Sequence, residues 1–187
     1  MYGYDSCQEE LEVRGSGARW ILVGYLLVAL LPCLQAAERK VVLLAVSKGV
    51  MPDSVPQGTQ ASLDEKAELD GVCLKVVFPK DTWFADSNLK IKDWRGYTAL
   101  RFTAFNPGKK PVGLGMTIKH QGSTNYDTRV DREFALAVGK NEIDIPLTGS
   151  AKNNGTPADL SVVRILTFGC ADEATILFGD FFLETKE

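Results

Sequence analysis

The sequence contains few of the residues and spacings on which enzyme active sites depend. It holds one histidine, His120, among 187 residues, and we expect a satisfied surface side chain at the end of a strand. No Cys-x-x-Cys pair is present, which excludes the zinc and redox sites that use this spacing. No Gly-x-Ser-x-Gly elbow occurs, and Gly113-Leu114-Gly115 lies within a predicted strand without the helix that a phosphate-binding loop requires.

Paired carboxylates for glycoside hydrolysis are the remaining catalytic pattern. Asp127, Asp131 and Glu133 lie close together in the sequence, and such a pair flanks the scissile bond in most glycosidases. Nothing in the sequence marks any of them as perturbed, and a domain of this size without a second lobe offers little cleft. We therefore expect a protein that is not an enzyme.

The chain also lacks a concentration of positive charge. Its net charge is -3 and the basic residues are spread along the sequence, which disfavours nucleic-acid binding. It has no internal repeat, no low-complexity segment and no extended helical period after residue 70. The length suits one domain with a sizeable core rather than two.

An uncharged apolar run at residues 20–34 is the clearest targeting signal. It is shorter than the roughly 20 residues that span a bilayer, and the small residues Ala36 and Ala37 follow it. We predict a signal peptide over residues 1–37, cleaved after one of these alanines, and a domain over 38–187 in a secreted, periplasmic or cell-envelope protein. The alternative is an uncleaved anchor, because residues 1–19 are unusually acidic for a leader. In that case the N-terminal segment would be the part of the chain that contacts the membrane.

Export leaves two of the four cysteines, Cys73 and Cys170, in the mature domain. In an oxidising compartment they could pair and join an early strand to a late one. Each also lies in an apolar strand, where a buried free thiol is equally natural. The sequence leaves both alternatives open.

Short alternating segments separated by turns dominate the chain from residue 70 onwards. In the segment 93–107, Leu100, Phe102 and Ala104 face one way, and Asn106-Pro107 ends the strand because proline cannot donate to a ladder. About eight or nine such strands predict an antiparallel β-sandwich or jelly roll. Strands are predicted at 41–46, 72–78, 100–105, 112–120, 130–136, 142–147, 162–170 and 174–183. Residues 59–69 fit either a short helix or an edge strand, and 79–93 is predicted to be a connection.

The sequence motifs in these segments resemble those of exported carbohydrate-binding modules with a galactose-binding-like jelly roll, in particular family 11 and its relatives. The resemblance covers roughly residues 65–185, and the mitochondrial complex I intermediate-associated proteins have a similar sandwich. The motifs that carry it are Asp93-Trp94-Arg95-Gly96-Tyr97, Leu100-Arg101-Phe102, Asn106-Pro107, Gly139-Lys140-Asn141, Ile145-Pro146-Leu147, Asp159-Leu160-Ser161 and Leu177-Phe178-Gly179-Asp180-Phe181-Phe182-Leu183.

The resemblance implies a concave sheet whose outward side chains form a groove for polysaccharide. Amides, carboxylates and guanidinium groups would bind the hydroxyls, and aromatic faces would cover the C–H surfaces of the sugars. Thr103, Thr117 and Glu133 share the outward strand faces, although a solvated outer face explains the same polar residues. The predicted ligand-binding residues are Trp83, Arg101, Phe105, Lys119, Gln121, Tyr126, Asp127, Arg129 and Asp131.

Two other tryptophan and tyrosine side chains, Trp94 and Tyr97, are predicted to be packing anchors rather than sugar platforms. Modules of this fold often hold a structural calcium, and the resemblance places Asp180 at that position with Glu65, Glu68 and Asp70 as further oxygen ligands. The Asp-x-Asp-x-Asp-Gly loop of a strong calcium site is missing. No other cofactor is expected.

The predicted function is therefore non-catalytic binding of a polysaccharide or glycan by a secreted β-sandwich. The alternative is a protein-interaction or assembly module of an exported or envelope complex, using the same face. A sugar groove would show an exposed aromatic beside Arg101, Arg129 and Asp131, whereas a protein-binding face would show a broad apolar patch. The oligomeric state is left open.

Overall fold

The computed structural model describes residues 39–185, and this part of the chain is built from β-strands and four 3₁₀ helices. None of the described helices is long and apolar enough to cross a membrane. The predicted leader lies outside the described residues. The strands are β1 (Lys40–Leu44), β2 (Gln60–Lys66), β3 (Gly71–Phe78), β4 (Thr82–Asp86), β5 (Ala99–Asn106), β6 (Val112–His120), β7 (Val130–Leu136), β8 (Gly139–Pro146), β9 (Val163–Cys170) and β10 (Ala174–Glu184).

The strands form two antiparallel sheets. The six-stranded sheet has the order β2-β3-β10-β5-β8, with β1 also paired to β10, and the four-stranded sheet has the order β4-β9-β6-β7. β3 pairs with the first half of β10 and β1 with the second half, and the register of β10 against β5 shifts between Phe178 and Phe181. The predicted all-β sandwich is confirmed.

Aromatic rings join the two sheets in the core. Phe168 of the four-stranded sheet packs against Phe102 and Phe181 of the six-stranded sheet, with each pair of ring centroids 5.2 Å apart. Phe84 of β4 lies 5.4 Å from Phe178 of β10 in an edge-to-face pair. Such pairs contribute beyond the apolar area that they bury, by about 0.5–1.5 kcal/mol each. Alternation places them inward: Leu100 and Phe102 are buried, as the pattern of β5 predicts.

The turn before β5 is held by a buried tryptophan. Trp94 is fully buried, and its Nε1–H donates to the Ile91 carbonyl oxygen at 2.9 Å. Its backbone N–H donates to the Leu160 carbonyl oxygen, also at 2.9 Å. Gly96 has a φ of 82°, a left-handed conformation that glycine adopts without steric cost. The prediction that Trp94 and Tyr97 are packing anchors is confirmed, since Tyr97 is also buried.

Two segments differ from or sharpen the sequence prediction. Residues 59–69 form the edge strand β2 followed by a 3₁₀ helix at Ala67–Leu69, which decides between the two alternatives. The predicted connection at 79–93 contains β4, which is short and has one core-facing hydrophobic side chain, Phe84, among its five residues. So brief a run gives little periodic signal, although it forms an edge of the four-stranded sheet.

His120 and the two cysteines are all buried. His120 shares the inward side of β6 with Met116 and Ile118, so the expectation of a surface histidine is wrong. Its Nδ1 accepts the Gly122 N–H at 3.2 Å, and within residues 39–185 its Nε2 has no partner. Cys73 and Cys170 are free thiols in two different apolar clusters, so the described structure contains no disulfide between them. Burial raises the pKa of Cys170 to about 12.

Candidate functional site

The outward face of the four-stranded sheet forms an open groove of about 890 Å³. Register places Trp83, Gly169, Gly115 and Glu133 side by side across β4, β9, β6 and β7. Strands in a sheet are about 4.8 Å apart, so this row is about 14 Å wide. The row has an indole at one end and a carboxylate at the other, with two glycines between them.

The next rows along the strands add hydroxyls and charges. Ala85, Thr167, Thr117 and Asp131 form the second row, and Ile165 lies opposite Lys119 in the third. Residues two apart on a strand share one face, so all three rows face the same groove. The groove is therefore mainly apolar on the β4 side and polar on the β7 side. Its floor is lowest at the two glycines of β9 and β6.

The packing of β4 against β9 leaves no room for a side chain at position 169, so the floor of the groove must be low there. A Cβ at Gly169 would lie 2.8 Å from the Thr82 carbonyl oxygen and 3.0 Å from the Trp83 Cβ, which is closer than such atoms approach. The missing side chain lets β4 pair closely with β9, and Trp83 is thereby held over the floor. Trp83 is 43% exposed in this position.

A hydrogen-bonded network organises the β7 side of the groove around Asp131. Its Oδ1 accepts the Thr117 hydroxyl at 2.6 Å, and the Arg129 Nε–H donates to Oδ2 at 3.0 Å. Asn153 donates from Nδ2 to Asp131 Oδ2 at 2.9 Å and accepts the Asp131 N–H at 3.1 Å. Burial alone would raise the pKa of Asp131, but the bonds from Thr117, Arg129 and Asn153 outweigh it and lower the pKa below its ordinary value.

Asn153 is a functional candidate that the sequence did not reveal. Besides its bonds to Asp131, its Nδ2 donates to the Tyr126 carbonyl oxygen at 2.8 Å, and its backbone N–H donates to the Arg129 carbonyl oxygen at 2.9 Å. It therefore ties the loop between β8 and β9 to the approach of β7. Its spacing from Asp131 in sequence carries no signal, because the contact depends on how two loops meet.

Tyr126 provides a second exposed aromatic on the β7 side of the sheet. It belongs to the 3₁₀ helix Tyr126–Thr128, which Asn125 and Thr128 cap reciprocally. The Tyr126 ring is 61% exposed and lies under the Arg129 guanidinium, whose carbon is 4.9 Å from the ring centroid. The neighbouring Asp127 accepts the Asn154 N–H through its carbonyl oxygen at 3.1 Å, so this loop too is fixed by backbone contacts.

The structure brings Trp83, Lys119, Arg129 and Asp131 to the groove, with Thr117 and Glu133 among them. Gln121 instead lines a smaller pocket of about 430 Å³, and Ile165 lines both cavities. Tyr126 and Asp127 lie at the β7 margin, where Tyr126 contacts Arg129.

Arg101 and Phe105 belong to the other sheet. Arg101 donates to Glu184 at 2.9 Å, and the Lys66 ammonium lies 4.2 Å from the centroid of the Phe105 ring. The prediction that they share a face with Arg129 is wrong, because β5 pairs with β10 and β8 in the six-stranded sheet. Alternation shows which side chains point outward, but not which sheet a strand joins.

The residues predicted to hold calcium do not form a ligand set. The carboxylate of Asp180 accepts the Ser47 N–H and the Ser47 hydroxyl, both at 2.7 Å. Glu68 forms an ion pair with Lys66 at 3.3 Å, and Asp70 ends a 3₁₀ helix with a φ of 63°. Across residues 39–185, no group of three or more His, Cys, Asp or Glu side chains is arranged to hold a metal ion. Calcium binding itself therefore stays a prediction, and the positions predicted to bind it are not arranged as a ligand set.

Comparison with known proteins identifies the architecture. No protein-family profile matches the sequence, and no curated protein matches it significantly. Among solved structures, CtCBM11 in solution superposes with a TM-score of 0.60 at 14% identity, over 82% of this chain and 99% of that one. The fold is shared with family 11 carbohydrate-binding modules.

Two further structures support this likeness of fold. A family 11 carbohydrate-binding module from Clostridium thermocellum, in complex with a β-1,3-1,4-mixed-linked tetrasaccharide, has a TM-score of 0.55 at 15% identity and covers 77% of this chain and 94% of its own. An exo-β-agarase has a TM-score of 0.65 at 12% identity over 78% of this chain. The match spans only 25% of the agarase chain.

Proposed function

We propose that this chain binds a polysaccharide or glycan, without catalysis, in the groove of the four-stranded sheet. The observation that carries the proposal is an open groove between Trp83 and the network of Asp131, Arg129 and Tyr126. Aromatic faces suit the C–H surfaces of sugars, and charged or amide groups suit their hydroxyls. The groove offers both kinds of group on one face.

Preorganisation of Arg129 supports a binding role. The guanidinium is held from one side by Asp131 and from the other by the Tyr126 ring. A side chain already fixed in the unbound protein loses less conformational entropy when a ligand arrives. Asp131 is itself saturated by protein donors, so we assign it the role of orienting Arg129 rather than that of binding sugar.

The electrostatics of the groove favour binding over hydrolysis. A glycosidase needs a general acid whose pKa is raised so that it carries a proton at working pH. The pKa of Asp131 is lowered instead, because its hydrogen bonds outweigh the effect of burial. Glu133 is exposed on β7 and lines an open groove rather than a closed cleft.

The comparisons add support of a different kind. Two neighbours that match over nearly their whole length are carbohydrate-binding modules, one of them solved with a bound tetrasaccharide. The competing role as a protein-interaction module predicts a broad apolar patch. In the described part of the chain, the groove that Trp83 borders is also lined by charged residues, among them Arg129 and Glu133. Val42 and Leu63 are exposed on the other sheet.

We further propose that the protein is exported to the cell envelope or beyond, where polysaccharides are accessible. This part of the proposal depends on the apolar run at residues 20–34 and the alanines that follow it. N-terminal sequencing of the protein recovered from its host compartment tests it. A mature chain beginning at Ala37 or Glu38 is the expected result, and an intact Met1 on a cytosolic protein would contradict it.

Affinity electrophoresis of the full chain tests polysaccharide binding. Gels would contain mixed-linked β-1,3-1,4-glucan, cellulose derivatives, mannan or agarose, and we expect retardation in at least one of them. Trp83→Ala and Arg129→Ala are each expected to weaken this binding about tenfold or more, as is typical of aromatic and arginine anchors. Leu63→Ala is the matched control, because Leu63 is also 43% exposed but lies on the other sheet.

Retardation by none of a broad panel of polysaccharides would overturn the proposed function. Retardation that is unchanged in both Trp83→Ala and Arg129→Ala would instead show that the groove is not the binding face.

A further inference from the structure

The smaller pocket beside the groove has a different charge from the groove itself. It has a volume of about 430 Å³ and is lined by Ser87, Lys92, Gln121, Val162, Arg164 and Ile165. Two of these residues are cations, and none is an acid. The groove, in contrast, is lined by Lys119, Arg129 and Arg132 together with Asp81, Asp131 and Glu133, so its charges are mixed.

Backbone contacts fix the walls of this pocket. The Val163 N–H donates to the Lys92 carbonyl oxygen at 2.7 Å, and the Gln121 N–H donates to the Val162 carbonyl oxygen at 2.9 Å. These bonds hold the segment before β5, the end of β6 and the start of β9 together. Lys92 and Gln121 are therefore attached to a rigid frame although both are surface residues.

Arg164 is placed in the pocket by a bulge in β9. Lys119 pairs with Ile165 and His120 with Val163, so Arg164 is an extra residue with no partner position on β6. A bulge of this kind redirects a side chain out of the regular alternation. Arg164 and Ile165 both face outward, whereas Val163 before them and Leu166 after them point into the core.

The pocket and the groove form one continuous surface. Ile165 lines both cavities, and Lys119 lies directly opposite Ile165 on the groove side. Asp53 contacts one of the lining residues: it accepts the Ser87 N–H at 2.7 Å and also the Ser87 hydroxyl. Lys92 and Arg164 thus line the pocket beside the amide of Gln121, and Lys119 lines the adjoining part of the groove.

We infer that this pocket is an anion-binding subsite. The glycan bound in the groove would carry a carboxylate or sulfate group at the position that reaches Lys92, Gln121 and Arg164. The inference rests on the proposed function, because the subsite extends the same binding face. Lysine and arginine bind carboxylate and sulfate oxygens through charge-assisted hydrogen bonds. The amide of Gln121 suits a neighbouring sugar hydroxyl.

The mixed charge of the groove argues for a sugar polymer rather than a nucleic acid. A nucleic acid carries a phosphate at every nucleotide, and several of these would meet Asp131 and Glu133 in the groove. A glycan that bears its acidic group at one position avoids this repulsion. Single-stranded DNA is therefore a rival ligand that the experiment includes.

NMR titration of the ¹⁵N-labelled full chain tests the inference directly. The probes are methyl β-glucuronide, glucose 6-sulfate, neutral methyl β-glucoside, inorganic sulfate and oligo(dT). We expect the charged sugars to shift the Gln121 and Arg164 amide signals, and the neutral glucoside to leave them unchanged. The two charged sugars distinguish a carboxylate from a sulfate ligand.

Variants locate the effect. Arg164→Gln and Lys92→Gln are each expected to weaken binding of the charged sugar about tenfold, the size of one charge-assisted hydrogen bond. Lys109→Gln makes the same change of charge in the turn between β5 and β6, away from both cavities, and should have no effect. Both substituted side chains in the pocket are exposed, so the variants should keep the wild-type fold, which the remaining amide signals verify.

The anion-binding subsite would be overturned if the charged sugars did not shift the Gln121 and Arg164 amide signals, or if the neutral glucoside shifted them equally. It would also be overturned if inorganic sulfate saturated the site at the same concentration as glucose 6-sulfate, or if oligo(dT) bound more tightly than the charged sugars. If these results accompany retention of neutral polysaccharides by the groove, the proposed function stands without the subsite. If the charged sugars shift Gln121 but no polysaccharide is retained, the polysaccharide groove fails instead.

Discussion

The outward faces of the two sheets contain similar residues but use them differently. On the six-stranded sheet, Arg101 is paired with Glu184, Lys75 with Asp64, and the Lys66 ammonium covers the Phe105 ring. On the four-stranded sheet, one network around Asp131 is closed, and it lies beside the glycine floor and the exposed Trp83. The first face satisfies its own charges, whereas the second leaves room for a ligand.

The comparison shows that a polar outer face is not by itself a binding face. Salt bridges and cation–π contacts within a sheet occupy the groups that a ligand would need. A concave surface also requires small residues in the middle of the sheet, and here Gly115 and Gly169 lie opposite each other on β6 and β9. The predictions below test whether the two faces differ in this way.

The largest expected effect is at the groove floor. Gly169→Ala should destabilise the protein by about 2–3 kcal/mol, because the added Cβ meets the Thr82 carbonyl oxygen at 2.8 Å and β4 must move. Urea denaturation measures the loss. Gly113→Ala is the matched control on the same face, since a Cβ there meets nothing within 4 Å. Equal stability of the two variants would show that β4 yields easily.

A second prediction contrasts one cation on each face. Arg101→Gln should cost about 2 kcal/mol, because it removes a charge-assisted hydrogen bond from Glu184, which is only 2% exposed. Lys119→Gln in the groove, at a half-buried surface position, should change stability by no more than about 0.5 kcal/mol, as is usual for surface substitutions. Urea denaturation of each variant gives its free energy of unfolding, and the two losses are then compared. A larger loss for Lys119→Gln would reverse the proposed roles of the two faces.

The pH dependence of stability is a third test of the six-stranded face. Burial alone would raise the pKa of Glu184, but hydrogen bonds from Arg101 and Lys40 outweigh it and lower the pKa below its ordinary value of 4.5. The unfolded chain then binds the proton more readily, so this stabilisation is present above pH 4.5 and is lost as the pH falls through the lowered pKa. Arg101→Gln should flatten that loss in urea titrations between about pH 5 and pH 3. An unchanged slope would mean that Arg101 contributes little to the shift.

The last prediction concerns polysaccharide binding more than stability. Asp131→Asn keeps the shape of the side chain but removes the charge that holds Arg129, so polysaccharide affinity should fall about threefold to tenfold. Stability should fall by about 1 kcal/mol, because Thr117 keeps its acceptor whereas the Arg129 and Asn153 donors lose theirs at Oδ2. Asp64→Asn is the control, because Asp64 forms an exposed ion pair with Lys75 on the other face. Affinity electrophoresis distinguishes the two variants, and equal binding by both would remove Asp131 from the site.

The sequence predicted those features that depend on neighbours along the chain. Alternation in β5, β6 and β9 correctly identified the core-facing residues, among them Phe102, Met116 and Phe168. It also placed His120 on the inward side of β6, but the polar side chain obscured that consequence. Burial therefore followed from the period of the strand more reliably than from the chemistry of one residue.

Features that depend on contacts between distant segments were not predictable in the same way. Arg101 and Phe105 have the outward pattern of a groove residue, yet strand pairing places them on the opposite sheet. Asn153 acts through contacts with residues that are more than 20 positions away. Arg164 reaches its pocket through a register shift that the sequence of β9 does not announce.

The two ends of the described domain lie together on β1 and β10. The Thr185 N–H donates to the Arg39 carbonyl oxygen at 2.9 Å, and the Arg39 N–H donates to the Thr185 hydroxyl at 2.8 Å. Both ends therefore leave from the six-stranded sheet. A bead, a fluorophore or a fused enzyme attached directly at Arg39 or Thr185 would therefore be joined to the six-stranded sheet, and the four-stranded sheet would stay open to long insoluble chains.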